Sequence, residues 1–341
     1  MNTQVDLSNS EYTPLTVISD SEAKSLGSIK GKGWSFTNIY HLIELRNVFL
    51  ALKIHSFNGD IKNFTKYCID KLPYEEKKWN YRKVEEYINA LRNFGILGER
   101  NLIENDFFED NSFDSPLSQK DINSLKTIYY GYFRFKEIHS WFLSINPLDR
   151  KDSIEKVDSK DLISKSNKLY SFSYNSRFTD AYITELKDNT KVFYLDNNNK
   201  MNRALMRLWD VYVKWGRTLG VLEKFSLDQV GISLEKKKLL NCTYHLKDDK
   251  PKFKLFDYIF LNFGKQKVFL PDLVFKIACE ERLSIEAINN FIIEEYLHNR
   301  EIFNIENTSE IFIKVRKLRE KETMLYPLYR DSYISHINVI K

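Results

Sequence analysis

Apolar positions along this chain recur in steps of three and four residues far more often than they alternate. Ile39, Leu42, Ile43, Leu45, Val48, Phe49 and Leu52 keep that spacing and predict a helix with a broad buried face. The turn signal Asn58-Gly59-Asp60 follows, and Asp60 can cap a second helix carrying Ile61, Phe64, Tyr67, Cys68 and Leu72, which Pro73 ends. A third helix runs from about Tyr81 with Val84, Tyr87, Ile88, Leu91 and Phe94 inward. Gly95 fits the left-handed position that closes it, with Ile96 as the apolar contact that accompanies such an exit. Ile96-Leu97, the charged Glu99-Arg100 and Leu102-Ile103 then predict a hairpin.

Residues 104–114 (ENDFFEDNSFD) are acidic and turn-rich and suggest a boundary. Beyond it, the stretch from Leu117 to Asp121 opens a helix with Ile122, Leu125, Ile128, Tyr129 and Phe133 in phase, continuing to Leu143 and stopped by Asn146-Pro147. The charged stretch 149–160 reads as a solvated connection, and 182–184 with 191–195 as short strands about the turn residues 188–190. A helix over 201–217 places Leu205, Leu208, Trp209, Tyr212, Val213 and Trp215 on one side, so both tryptophans read as core. Its exit GRTLGVLE (216–223) repeats that of the third helix, LRNFGILGE (91–99), with Gly220 in the place of Gly95.

Near the other end, Pro271 precedes Asp272, read as a cap for a helix with Leu273, Val274, Ile277 and Ala278. Ser284 can cap the next, in which Ile285, Ile288, Phe291, Ile292 and Leu297 are periodic, with Asn299 as a left-handed exit. Residues 302–305 and 311–315 flank turn residues and predict a two-stranded wing.

Three helices running into a hairpin form the outline carried by Val84 to Glu99, by Ser284 to Val315 and, more weakly, by Leu205 to Glu223. This outline resembles the winged-helix superfamily over about half of the chain. The expected fold class is therefore mainly α with small β-hairpins (α+β), in two or three winged-helix-like units. The expected division is a flexible arm over 1–33, a winged-helix-like domain over 34–110, a central helical domain over 115–265 with a short hairpin and a further winged-helix-like unit, and a C-terminal one over 266–341. The resemblance implies that the third helix enters the DNA major groove while the wing touches backbone or minor groove.

On that reading the candidate DNA contacts of the first unit are Lys77, Lys78, Arg82, Lys83 and Arg92, with Asn89 and Asn93 as further base-edge donors. Glu85 and Glu86 in the same helix oppose phosphate, and a solvated helix face is the competing reading. Two further basic runs are candidates: Lys236, Lys237 and Lys238, and Lys314, Arg316, Lys317 and Arg319 with Lys321. Lys250, Lys252 and Lys254, near Tyr244, Phe253 and Phe256, suit backbone contact with stacking, diluted by Asp248-Asp249.

Composition leaves this picture open. With 52 Lys and Arg against 47 Asp and Glu in 341 residues, the formal charge of +5 tolerates a nucleic-acid partner without requiring one. Hydrophobic residues make up 43%, enough for a folded core, while 11 Gly and 7 Pro argue against Gly-rich phosphate loops and for long helices. Cys68, Cys242 and Cys279 are widely spaced and suggest buried, reduced thiols. The start of the chain has no basic segment leading into an apolar one, and no apolar run approaches a membrane span, so the expected location is the cytoplasm with no membrane partner.

The histidines lack metal-ligand spacing, and no Walker, dinucleotide or nucleophile-elbow fingerprint occurs, so no catalytic residue, metal or cofactor is expected. One enzymatic alternative stands: Asp180, Glu185 and Lys187 resemble a metal-dependent nuclease arrangement, a triplet that chance also produces in a chain this rich in Glu and Lys. The expectation is non-catalytic, weakly specific binding of double-stranded DNA within a prokaryotic DNA-handling or antiviral defence assembly. The alternatives are a protein-docking module or homo-oligomer using the same surfaces, motivated by balanced charge and many aromatic residues, and the nuclease.

Overall fold

A computed structural model describes residues 36, 38–55, 59–75, 77–98, 103, 106–110, 112–132, 135–136, 203–226, 229–231, 241–247, 250–264, 267–307 and 323–340. The chain mixes helix and strand, an α+β composition. It divides into two compact units: the described residues up to 136 together with 203–219, and those from 220 to 340. Among the described residues no helix is long and apolar enough to cross a membrane.

The first unit is helical. Helix α1 (Leu42–Ile54) lies at its centre and is buried on nearly every side, with Leu45, Val48, Phe49 and Leu52 in the core. Asp60 caps α2 (Ile61–Lys71) by accepting from the backbone N–H groups of Lys62 and Asn63, and Asn80 caps α3 (Tyr81–Asn93) by accepting from Lys83 N at 2.9 Å. Gly95 (φ 74°) closes α3: Ile96 N donates to Leu91 O and Gly95 N to Arg92 O, each at 2.9 Å, and Ile96 folds back into the core. Leu97 then bridges Ile103 in antiparallel fashion. Ser118 and Asp121 form a reciprocal capping box at the start of α4 (Gln119–Gly131).

The acidic segment read as a boundary lies against α1. Phe108 is buried with its ring 5.2 Å from that of Phe49, and the carbonyls of Phe113 and Ser115 accept from Asn47 and Arg46. Helix α5 (Arg203–Thr218), far away in sequence, completes the same unit. Tyr212 stacks on Tyr129, and Trp215 is fully buried among Phe36, Phe94 and Phe135.

The second unit opens after Gly220 (φ 64°), which shares the left-handed exit of Gly95. Strand β1 (Leu222–Ser226) pairs antiparallel with β2 (Asn241–His245), Phe225 opposite Cys242. Three helices follow: α6 (Leu255–Phe263), α7 (Leu270–Glu281) and α8 (Ile285–His298), the last capped by Ser284. Strand β3 (Lys267–Phe269) leads into α7, β4 (Phe303–Glu306) follows α8, and β5 (Leu328–Tyr329) with β6 (Ser332–Tyr333) makes a small hairpin before β7 (His336–Val339). Three buried thiols accompany these cores, and burial pushes that of Cys68 up to about 12 and that of Cys279 well above its ordinary value.

Local expectations fail in two places here. Phe269 occupies the N-cap of α7, and Asp272 lies inside the first turn, where its carboxylate accepts from Gly231 N at 2.6 Å. Asn299 ends α8 at φ −129°, outside the left-handed region, with its side chain donating to Glu295 O. Strand β4 pairs with β7, in a sheet ordered β3-β7-β4; the expected wing partner at 311–315 lies outside the described residues, as does the hairpin expected over 182–195.

In that sheet His336 stands opposite both Phe269 and Glu306. Burial first, then Lys267, holds its imidazole below the ordinary value, against the opposing pull of Glu306 and Asp272. Hydrogen bonds from Lys267 and Asn338 hold the Glu306 carboxyl below its own usual range. Below the ordinary imidazole value of roughly 6.5, the unfolded chain binds a proton that the folded chain resists, so stability falls as pH falls. We expect the melting temperature of this unit to drop between about pH 7.5 and 5.5, and to drop less in His336→Gln. Equal drops in both proteins would remove His336 as the cause.

Candidate nucleic-acid interface

The surface proposed for DNA begins with the turn that precedes α3. Trp79 is 4% exposed, donates its indole N–H to Pro73 O at 3.0 Å and meets the Tyr87 ring edge-on. That anchor, with the Asn80 cap, fixes the backbone of a turn whose lysines 77 and 78 point into solvent.

Beneath the turn lies a buried carboxylate. Glu44, 2% exposed on α1, accepts from the Tyr87 hydroxyl, from Lys83 Nζ at 2.8 Å and from Glu75 N at 3.1 Å. Lys83 Nζ also donates to Lys77 O at 3.1 Å and sits 4.4 Å from the Trp79 ring centre. The Lys83 side chain, 18% exposed, thus turns towards Glu44 and ties the turn and α3 to α1.

Arg82 is the outward cation of α3, its side chain 81% exposed, with Nε on Glu86 Oε1 at 3.1 Å one turn later. Glu86 also accepts from Asn38 at 3.2 Å. In the last turn of the helix, Arg92 is half-buried and donates to Asn89 at 2.8 Å. A cleft of about 390 Å³ opens beside the amino end of the helix, lined by Asn38, His41, Lys77, Asn80, Arg82 and Glu86 among others. Along α3 and its turn, Lys77, Lys78, Arg82 and Arg92 are matched in number by Glu75, Glu76, Glu85 and Glu86, so side-chain charge is balanced and the helix dipole alone makes the amino end positive.

The structure therefore exposes Lys77, Lys78 and Arg82, leaves Arg92 half-buried in the last turn of α3 and turns Lys83 towards Glu44. Lys236, Lys237 and Lys238, the run Lys314, Arg316, Lys317 and Arg319, and the Asp180, Glu185 and Lys187 triplet lie outside the described residues. Lys250, Lys252 and Lys254 are exposed in the second unit. Of the aromatic residues read beside them, Tyr244 is fully buried with its hydroxyl on Leu283 O, and Phe253 packs on Tyr258 and Phe291.

Sequence reading missed the organising role of Glu44 and Trp79. Glu44 stood as a polar gap in an apolar run, and nothing local says that a lysine and a tyrosine from α3 will meet there. Comparison with known protein families, with curated proteins and with solved structures finds no match to this chain.

Proposed function

We propose that the protein binds double-stranded DNA without catalysing its cleavage, with α3 as the groove-facing helix of a winged-helix-like unit. The observation that carries this reading is the cluster of exposed Lys77, Lys78 and Arg82 at the amino end of a helix held rigidly by Glu44, Trp79 and Asn80. Two lysines there act as point charges for phosphate, and Arg82 with Asn89 can meet base edges. The three-helix order and the Leu97–Ile103 bridge after it support the winged-helix comparison. Glu86 competes with guanine for Arg82, which favours weak sequence preference. The basic runs at 236–238 and 314–319 take the role of further phosphate contacts in this proposal.

The test is fluorescence anisotropy of the full chain on a labelled random duplex across a salt series, with and without magnesium. Lys77→Glu/Lys78→Glu/Arg82→Glu should weaken binding at least about tenfold and flatten the salt dependence by about 0.9 for each phosphate that is no longer neutralised. Unchanged affinity in that variant removes α3 from the interface.

A protein-docking reading draws on the Arg82–Glu86 pair, which leaves the middle of the α3 face close to neutral. It requires no duplex binding at any salt and a partner interaction that salt does not weaken.

A further inference from the structure

Helix α6 reads LFDYIFLNF and is apolar almost all round. Its inner side is accounted for: Leu255 and Ile259 are fully buried, and Tyr258 packs on Phe253 while its hydroxyl bonds Glu280 of α7. The opposite side is not. Phe260 is 68% exposed and Leu261 80% exposed, and the half-buried Phe256 ring lies 6.3 Å from that of Phe260 at an interplanar angle of 14°. At about 100° per residue, Phe256, Asp257, Phe260 and Leu261 share one face. Adjacent large apolar side chains left in water mark a contact surface.

The chain leading into α6 supplies the second half of the surface. In Lys250-Pro-Lys-Phe-Lys254 exposure alternates: the three lysines are exposed, while Pro251 and Phe253 are half-buried. The chain bends at Lys250 and again at Phe253, so the three lysines form an exposed cationic cluster at the amino end of α6 and not a straight row.

A cluster of exposed cations leading into two near-parallel rings is an arrangement that can hold a phosphate backbone beside stacked bases. Asp257 sits between Phe260 and Leu261 on the exposed face, which opposes insertion into an anionic lipid surface. On a base-facing surface the same carboxylate can accept from the exocyclic amine of cytosine. The geometry points to a binding site for single-stranded nucleic acid on α6, with Phe256 and Phe260 as the stacking platform and the exposed Lys250, Lys252 and Lys254 as the phosphate-binding cluster. This site is separate from α3 and stands or falls independently of the duplex reading.

The test measures anisotropy of the full chain with labelled single-stranded 15-mers of thymidine, cytidine and uridine and with a random duplex. Phe260→Ala, at a position open to water, should retain the fold by circular dichroism and bind each single strand at least about fivefold more weakly, with duplex affinity unchanged. Lys250→Glu/Lys254→Glu should flatten the salt dependence for the single strand, and the triple reversal at 77, 78 and 82 should leave single-strand binding intact. The thymidine and uridine arms separate DNA from RNA. Absence of single-strand binding, or equal affinity in wild type and Phe260→Ala, overturns the proposal. Self-association of the chain that Phe260→Ala abolishes, without any binding to the 15-mers, overturns it too and assigns the face to a second copy.

Discussion

Asp121→Ala is expected to cost the first unit about 3–5 kcal/mol of stability, because it leaves a charge buried without its partner. Arg46 and Asp121 are both fully buried, with Arg46 Nη1 at 3.7 Å from Asp121 Oδ2, too far for a hydrogen bond. Asp121 is held in place by other donors: Glu109 N at 2.9 Å and Ser118 N at 3.0 Å. Arg46 is anchored through Nε to Asn47 and through Nη2 to Ser115 O, and burial lowers its pKa while Asp121 opposes that shift. Removing the carboxylate therefore strands the guanidinium and two backbone donors, one of them the Ser118 N–H that forms half of the α4 capping box.

All five tryptophans lie before residue 220, so urea unfolding followed by tryptophan emission reports on this unit. Arg46→Met combined with Asp121→Leu should recover much of the stability, since an apolar pair of similar volume removes the desolvation cost along with the attraction. A cost below about 1 kcal/mol for Asp121→Ala would mean that water already reaches the pair.

Trp215→Ala is expected to cost a comparable 3–5 kcal/mol or so, for a different reason. The indole is fully buried, its ring centre 5.2 Å from Phe135, 5.8 Å from Phe94 and 6.4 Å from Phe36, and its N–H donates to Ile39 O at 2.7 Å. Truncation leaves a cavity that a cluster of rigid rings cannot collapse around, as well as an unpaired carbonyl. Trp215→Phe should cost less, since it refills part of the volume and gives up only the hydrogen bond and the larger ring. If Trp215→Ala unfolded at the same urea concentration as wild type, α5 would not be part of the core that carries α3.

The helix ends were the most legible features of the chain. Asp60 and Ser284 stood out as caps, and Asn80 and Ser118, which did not, work the same way: a short polar side chain satisfies nearby N–H groups, a matter settled within three residues. Gly95 and Gly220 both adopt the left-handed backbone that their place after an apolar-periodic run requires. The same local reasoning failed at Asp272, where Gly231 from a remote stretch claims the carboxylate, and at Asn299, whose side chain bonds back into its own helix.

Of the candidate interface, the types and spacing of Lys77, Lys78 and Arg82 were visible in the sequence, and their exposure follows from lying on the polar side of an amphipathic helix and its lead-in turn. The inward turn of Lys83 was not, because it depends on Glu44 across the α1–α3 contact. The face of α6 was hidden for the opposite reason: a helix apolar on all sides carries no periodic signal to say which side the core will leave uncovered.

By itself, then, the sequence determined where several helices start and how α3 and α5 exit, since both follow from contacts three or four residues apart; it foresaw neither α6 nor the end of α4 at Gly131, short of the expected Leu143. Tertiary structure alone decided that α5 joins the first unit through Trp215 and Tyr212, that β7 is the partner of β4, and that Lys83 turns inward while Phe260 and Leu261 remain in water. Each of those outcomes depends on which distant apolar surface or charge happens to be brought alongside, and periodicity within one segment contains no record of its neighbours in space.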